Sequence, residues 1–310
     1  MEKKDRLIDN YIDKGEKAHD AGEFIRALNY YLRAEEFLGE EGDVDLSINI
    51  ALLYDELGEI EKAKENYRKA ISINSYEARA YYGLAVMYDE EENYPKAIEN
   101  YKKAVEINPV YDRGIFFLAN ALDLNGDKDE AIVWYKKLLE ICPDDFWGNM
   151  NLGSIYEEKN DINNAYRMFS KALDINKDNY MALYNMGVIY KKLNLIDKSK
   201  SMYIKSIKKN PGHAGSFLNL AVIYKEEGNL DKGIEILSQG IQYNPESEFL
   251  FYNRSCFYAL NNNVEKAIKD IIKAVELYKG FMKYIYKDEE LKVVRESEEF
   301  KNFLIENNIC

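Results

Sequence analysis

The large apolar residues of this chain return with a period of 34 residues. Counted from the start of each period, position 11 is tyrosine in six of eight copies and position 24 is aromatic in six. Positions 8 and 20 hold only Gly, Ala or Ser. Apolar residues spaced three and four apart are typical of helices that bury one face. The pattern predicts two helices in each period, packed closely where the small residues lie.

The period divides residues 1–281 into eight tandem blocks, separated only by Gly42 and Asp43. The blocks are 8–41, 44–77, 78–111, 112–145, 146–179, 180–213, 214–247 and 248–281. Units of this length stack so that each repeat contacts its neighbours. Residues 282–310 are not periodic. They contain two predicted capping helices, over 288–294 and 297–304, which we expect to cover the last repeat.

The positions of the helix-ending residues support two helices in each block. Position 15 is Gly or Asn in seven blocks and Glu92 in the third. Gly and Asn tolerate the left-handed conformation that ends a helix. Four of the five prolines lie at position 32, between blocks, and Pro95 lies in a predicted first turn, where proline is tolerated.

The pattern as a whole resembles the tetratricopeptide repeat. Block 78–111 carries it at Tyr81, Leu84, Ala85, Tyr88, Ala97, Tyr101, Ala104 and Pro109. The resemblance implies an all-α fold, a right-handed α-solenoid (superhelix) of tandem helix-turn-helix repeats. It also implies that the first helix of each repeat lines the concave face. Ala18 at position 11, Leu138 at position 27 and Arg254 at position 7 depart from the family pattern.

Composition excludes several classes of function. A net charge of −13 argues against nucleic acid as a partner, because phosphates require clustered Lys and Arg. No apolar run approaches the roughly 20 residues of a membrane-spanning helix. Three widely spaced cysteines and the absence of an apolar signal core favour a reducing compartment, and we expect a cytoplasmic protein.

The sequence offers no catalytic constellation, and we expect neither enzyme activity, cofactor nor metal. The two histidines, His19 and His213, lie in distant blocks and are interpreted as surface or loop residues. The family's clamp for chaperone tails is also not predicted, because it needs Lys at position 5 and no block has it.

The family resemblance places a candidate binding face on the first helices. Position 6 is asparagine in five blocks: Asn49, Asn151, Asn185, Asn219 and Asn253. An amide can donate to and accept from a peptide backbone at once. This row resembles the asparagine ladder of O-linked N-acetylglucosamine transferases. Asn is also common at this position in the family, so a role in repeat structure alone stays open.

An apolar strip runs beside the asparagines. At position 5 it comprises Ile48, Tyr82, Phe116, Met150, Tyr184, Leu218 and Tyr252, and at position 2 it is extended by Trp147, Met181 and Phe249. Exposed strips of this kind mark partner sites. Some of these side chains are expected to pack between helices instead.

Charge divides along the same face. Positions 12 and 13 are acidic in blocks two to five, at Asp55, Glu56, Asp89, Glu90, Asp123, Glu157 and Glu158, and carry Lys191, Lys192 and Lys225 in blocks six and seven. This asymmetry would orient a partner that has a basic stretch beside an acidic one. A solvated rim without function is the alternative.

These features predict a non-enzymatic scaffold that binds a protein or peptide segment in the concave groove. A peptide-sensing regulator and the substrate-binding subunit of an enzyme such as a glycosyltransferase are the alternatives. Weak self-association through an exposed end of the stack is a further one.

Overall fold

The computed structural model describes residues 2–306. Within this range the chain forms α-helices and short 3₁₀ turns and no strand. The helices are α1 (Glu2–Asp20), α2 (Phe24–Leu38), α3 (Val44–Glu56), α4 (Ile60–Ile73), α5 (Ala78–Glu90), α6 (Tyr94–Ile107), α7 (Asp112–Leu124), α8 (Lys128–Ile141), α9 (Phe146–Glu158), α10 (Ile162–Ile175), α11 (Tyr180–Lys192), α12 (Ile196–Lys209), α13 (Ala214–Glu226), α14 (Leu230–Tyr243), α15 (Glu248–Leu260), α16 (Val264–Leu277), α17 (Met282–Ile285), α18 (Lys292–Arg295) and α19 (Glu298–Glu306). The predicted all-α class is confirmed.

The turn inside each helix pair has one design. Position 15 has a positive φ in all eight pairs, at Gly in four, at Asn in three and at Glu92 in one. After it, the N–H of position 16 donates to the carbonyl of position 11, as Glu59 does to Tyr54 at 2.8 Å. This bond satisfies a carbonyl at the helix end, and the left-handed residue is what allows the chain to reach it. The helix-ending role predicted for position 15 is confirmed.

The chain divides into two compact units, residues 1–155 and 156–310. Inside each unit, a helix packs against the helices before and after it in the sequence. The N-terminal unit has a core that includes Ile8, Tyr31 and Leu46. In the C-terminal unit, one core surrounds Tyr203 and Phe217.

The aromatic ring at position 24 fills the space that the small residues leave. The Tyr203 side chain is fully buried. A Cβ atom added to Gly187, at position 8 of the same repeat, would lie 2.7 Å from the Tyr203 ring. The Tyr67 ring also reaches the next repeat, where a Cβ atom on Gly83 would lie 2.3 Å from it. Small residues are therefore required where these rings pack.

Two departures from the family pattern are compensated by a neighbour. Leu138 is large at a position that is usually small, and Gly148 on the next first helix leaves room for it, since a Cβ there would lie 2.9 Å from the leucine. Arg254 forms a bidentate ion pair with the buried Asp270, at 2.6 and 2.8 Å. The Arg254 charge therefore meets a partner inside the repeat.

The C-terminal segment, residues 279–306, packs against α16 through 3₁₀ turns and short helices. Its buried side chains are Phe281, Ile285, Leu291, Val294 and Phe300. The Asp288 carboxylate accepts from the Glu290 N–H at 3.0 Å, and the Ser297 hydroxyl from the Phe300 N–H at 3.3 Å. Instead of one helix over 288–294, the chain forms a 3₁₀ turn at Glu289–Leu291 followed by α18. The short α17 was not predicted, because four residues are too few to give a periodic pattern.

Cys142 and Cys256 are free thiols, and Cys310 lies outside the described residues. Over residues 2–306, no helix combines the length and the apolar character that crossing a membrane requires.

Candidate functional site

The first helices α5, α7 and α9 carry a stripe of half-buried and exposed aromatic residues in the N-terminal unit. Positions 2, 5, 9 and 12 lie on one side of a helix, because they are three or four residues apart. Tyr82 and Phe116 are half-buried at position 5, and Trp147 at position 2 is 49% exposed. These three side chains form the solvent-reaching part of the predicted strip in this unit.

Two members of the predicted strip do not reach solvent. Ile48 is 6% exposed and Met150 is 3% exposed. Both therefore belong to the packing between helices, and the structure corrects their assignment to a ligand-contacting surface. Position 5 lies near the edge of the first helix's buried side, so that its exposure depends on the neighbouring repeats.

A cavity of about 190 Å³ opens beside Phe116. It is lined by Asp112, Arg113, Phe116, Phe117, Leu138, Asp145 and Trp147. The Phe116 ring is held edge-to-face by Phe117, at 5.3 Å between centroids, and by Tyr135, at 6.0 Å. Trp147 packs edge-to-face on Phe146 at 5.1 Å. Sequence reasoning missed the cavity because it forms between two repeats, from both helices of block 112–145 and the start of the next block.

Four acidic residues at positions 12 and 13 of the N-terminal unit lack a basic partner. Asp55, Glu56, Asp89 and Glu90 form no ion pair within the described residues. Asp123 differs from them, because burial raises its pKa and the charge of Lys128 opposes that effect. Burial raises the pKa of Asp55, and the neighbouring Glu56 raises it further. Burial also raises the pKa of Glu90, with Asp55 and Asp89 adding to the effect. The carboxylates therefore repel one another and would be stabilised by a cationic ligand.

The lysines at the same positions in the C-terminal unit are already paired. Lys191 contacts Glu226 at 2.8 Å, and Lys192 contacts Glu157. Lys225 contacts Glu290 of the C-terminal segment at 2.5 Å. The predicted basic half of the groove is therefore neutralised by internal carboxylates, which the sequence could not show because the partners lie 35 to 65 residues away.

The C-terminal segment also covers Tyr252. The Tyr252 hydroxyl donates to Asp288 Oδ2 at 2.7 Å, and its ring stacks on Phe281 at 4.8 Å. Burial and the Asp288 hydrogen bond raise the Tyr252 pKa. Tyr252 and Lys225 therefore contact the C-terminal segment of the same chain. Leu218 is half-buried beside the core of this unit.

Tyr184 and Asn185 remain accessible on α11. Tyr184 and Asn185 are both half-buried, and Met181 one turn earlier is exposed. The Tyr184 ring contacts the His213 ring edge-to-face at 4.7 Å. His213 accepts or donates a hydrogen bond at Ser216 Oγ, 2.8 Å away, and burial lowers its pKa. His213 is thus part of the packing that positions Tyr184, a role its lone occurrence in the sequence did not indicate.

Two asparagines of the ladder are hydrogen-bonded to tyrosines inside the protein. Asn151 donates to the Tyr135 hydroxyl at 2.9 Å. Asn219 donates to the hydroxyls of Tyr184 at 3.1 Å and Tyr203 at 3.3 Å. Tyr135 and Tyr203 occupy position 24 of the preceding repeat. Their buried rings place a hydroxyl where the next repeat's amide can reach it.

Asn185 has no such partner. The residues 16 and 35 places before it are Phe169 and Met150, and neither has a hydroxyl. Within the described residues, Asn49 and Asn185 make no side-chain hydrogen bond. Asn253 is preceded by Leu237 and bonds only to its own helix, at the Phe249 carbonyl. The five asparagines are therefore not equivalent. Some amides are used in hydrogen bonds inside the protein, and others are available to a ligand.

No cluster of three or more His, Cys, Asp or Glu side chains suited to a metal ion occurs in residues 2–306.

Family models for the tetratricopeptide repeat match most of the chain. One model matches residues 44–76, 148–179, 182–213, 214–247 and 250–281, a second matches 78–111, and a model described as TPR repeat matches 119–160. This chain belongs to the tetratricopeptide repeat family. None of the curated proteins matches its sequence.

Solved structures of tetratricopeptide repeat proteins share its fold. YrrB is described as a TPR protein with an unusual peptide-binding site, and it is 25% identical to this chain with a TM-score of 0.54. The match covers 60% of this chain and 95% of the YrrB chain. The Cut9–Hcn1 hetero-tetramer of APC/C is 14% identical over 91% of this chain and 52% of its own, at 0.56. MamA from Desulfovibrio magneticus RS-1 is 14% identical over 55% and 96%, at 0.52. The chain is therefore an α-solenoid of tandem helix-turn-helix repeats.

Asn219→Ala and Asn185→Ala should differ in their effect on stability. Asn219→Ala removes two hydrogen bonds to tyrosine hydroxyls, and we expect a loss of about 1–2 kcal/mol. Asn185→Ala removes none and improves helix propensity, so that its effect should stay within about 0.5 kcal/mol. Urea denaturation followed by circular dichroism measures both. Equal losses would contradict the assignment of the two amides.

Removing charge from the acidic row should stabilise the fold at neutral pH. The raised pKa values of Asp55 and Glu90 mean that the folded chain holds protons more tightly than the unfolded chain. Stability therefore falls as pH rises through the folded pKa values. We expect Asp55→Asn/Glu90→Gln to gain about 0.5 kcal/mol at pH 7. This gain should shrink as the pH falls through the folded pKa values, because both carboxyls then become protonated in the folded chain.

The control for this prediction is Asp45→Asn. Asp45 is exposed on α3 and pairs with Arg79 at 2.6 Å. Its neutralisation should leave stability unchanged or lower it slightly. The same gain in both variants, or a gain that does not shrink as the pH falls, would show that repulsion in the acidic row is not its source.

Proposed function

We propose that this chain is a non-enzymatic scaffold that holds a peptide segment of a partner protein on the face formed by its first helices. The observation that carries the proposal is the surface of α5, α7 and α9. It combines solvent-reaching rings at Tyr82, Phe116 and Trp147 with two α5 carboxylates, Asp89 and Glu90, that form no ion pair within the described residues. Neither feature stabilises the chain by itself, since an exposed tryptophan and repelling acids both cost free energy.

The likeness to YrrB supports peptide binding, because that protein is described as having a peptide-binding site. Aromatic side chains supply large contact areas at low entropic cost and are common hot spots of interfaces. Within the C-terminal unit, Tyr184 and the uncommitted amide of Asn185 on α11 are separate candidates for an apolar contact and a backbone hydrogen bond to a peptide. The cytoplasmic location remains a prediction from the cysteine pattern.

The other predicted contact residues fall into candidate ligand contacts and residues that stabilise the repeats. Asn49 and Asn253 stay candidates for backbone contacts. Asn151 and Asn219 are assigned to the repeat structure through their tyrosine partners. Lys191 would act only after release from Glu226.

Affinity capture from native lysate tests the proposal. The immobilised proteins are wild type, Trp147→Ala, Asn185→Ala and the control Val133→Ala, whose side chain is exposed on the second helix α8. We expect Trp147→Ala to reduce partner recovery about tenfold or more, because exposed aromatic anchors dominate interface energies. Asn185→Ala should cause a smaller loss, and Val133→Ala none.

A partner recovered equally by wild type, Trp147→Ala and Asn185→Ala would contradict the proposal. Loss in Val133→Ala alone would place the interface on the second helices.

A further inference from the structure

The cavity beside Phe116 has the shape and lining of a site for one long side chain. Aromatic rings of Phe116, Phe117 and Trp147 line it, and Leu138, which is 1% exposed, supplies an aliphatic surface. Its volume of about 190 Å³ accepts a single extended side chain. The residues that line it come from α7, from the end of α8 and from the start of α9, so that packing of these helices fixes its dimensions.

Two carboxylates give the cavity a negative potential. Asp112 Oδ1 accepts from the Arg113 N–H at 2.7 Å, and Asp145 Oδ1 accepts from the Gly148 N–H at 2.5 Å. The Oδ2 atoms of both side chains make no hydrogen bond within residues 2–306. Burial, and after it the charges of Asp112 and Asp145, raise the pKa of the Cys142 thiol, so that both carboxylates act on the same neighbourhood.

The one cation that lines the cavity is occupied by another contact. The Arg113 guanidinium carbon lies 5.8 Å from the centroid of the Tyr82 ring. Burial raises the Tyr82 pKa, and the charge and side-chain hydrogen bond of Arg113 oppose that effect. Arg113 therefore interacts with the aromatic strip, while the two aspartates retain unused acceptor atoms.

Aromatic faces beside free carboxylate oxygens form the chemical environment that a guanidinium group prefers. Its planar cation stacks on Trp or Phe faces, and its N–H fork donates to carboxylates. An ammonium group is more strongly hydrated and gains less from stacking. An apolar side chain would use the rings but would leave the two aspartates desolvated, which is unfavourable.

We propose that this cavity binds an arginine side chain of the partner segment. The inference rests on the proposed function and specifies its ligand: a segment with an arginine anchor for the Trp147 cavity and a net positive charge. The carboxylates of Asp89 and Glu90 on α5, which form no ion pair within residues 2–306, favour further basic residues beside the anchor. Long-range attraction of this kind increases the association rate and weakens as salt is added.

Three labelled nonapeptides test the inference on the full chain. They share a sequence of Leu and Ser residues and differ only at the central residue, which is Arg, citrulline or Glu. Citrulline has nearly the shape of arginine but no charge. We expect fluorescence anisotropy to show about tenfold weaker binding for citrulline than for Arg, and weaker binding still for Glu. Equal affinity for Arg and citrulline, or no binding of the Arg peptide at about 1 mM, would overturn the proposal.

Matched variants connect the preference to the cavity. Trp147→Ala and Asp112→Asn/Asp145→Asn should each abolish the difference between Arg and citrulline. Asp145→Asn retains an oxygen that can accept from the Gly148 N–H, so that the start of α9 is preserved. The control is Trp134→Ala, which removes the chain's other tryptophan from α8. It should leave the Arg preference unchanged, and a preference lost only in Trp134→Ala would place the site there.

A second readout separates misfolding from loss of the site. In a Trp134→Phe background, Trp147 is the sole tryptophan, and the Arg peptide should change its emission while the Glu peptide should not. Failure of this inference is distinct from failure of the proposed function. A partner whose capture depends on Trp147, together with equal peptide affinities, would retain the scaffold and reject arginine as its anchor.

Discussion

The structure depends on one packing constraint, the insertion of a large side chain at position 24 of each second helix, an aromatic ring in six of the eight, into space left by small residues. Tyr203 is fully buried against Gly187, and Tyr67 occupies the space beside Gly83 in the following repeat. A ring so placed contacts its own repeat and the next one, so that it joins neighbours as well as helices within a pair. Half-buried residues at position 5 of the first helices contact these rings on one side, as Phe116 contacts Tyr135 at 6.0 Å between centroids. Their remaining surface reaches solvent, where a partner could contact it.

The same rings influence which asparagines are available for binding. The hydroxyls of Tyr135 and Tyr203 at position 24 accept from the asparagine of the next repeat. Asn49, which follows Tyr31, makes no such bond within the described residues. Where position 24 is Phe169, no hydroxyl is present and Asn185 is left uncommitted. A difference of one oxygen atom in the core thus changes the hydrogen-bonding capacity of the surface. An asparagine ladder read from sequence alone treats all its members as equivalent, and here they are not.

The fold could be predicted from the sequence because its signals are local and repeated. Small residues, tyrosines and left-handed Gly or Asn positions recur every 34 residues, and even Glu92 takes the positive φ that its register requires. The site could be predicted only in part. The burial of Met150 and the pairing of Lys225 with Glu290 depend on contacts between residues distant in sequence. The Leu138–Gly148 pair and the adjoining cavity likewise appear only when two repeats are packed together.

Charge distinguishes the two units more sharply than apolar character does. In the C-terminal unit, the lysines of the first helices form ion pairs with carboxylates of the same chain, and the C-terminal segment covers Tyr252. In the N-terminal unit, Asp55, Glu56, Asp89 and Glu90 form no ion pair within the described residues. Unmatched charge and exposed aromatic surface are features that a bound segment would compensate.

The central claim is that a partner lies on the first helices. Hydrogen–deuterium exchange of the full chain with and without its captured partner tests it most directly. The account predicts slower exchange in α5, α7, α9 and α11, with α6 and α8 unchanged. Protection confined to the second helices or to residues 279–306 would contradict it.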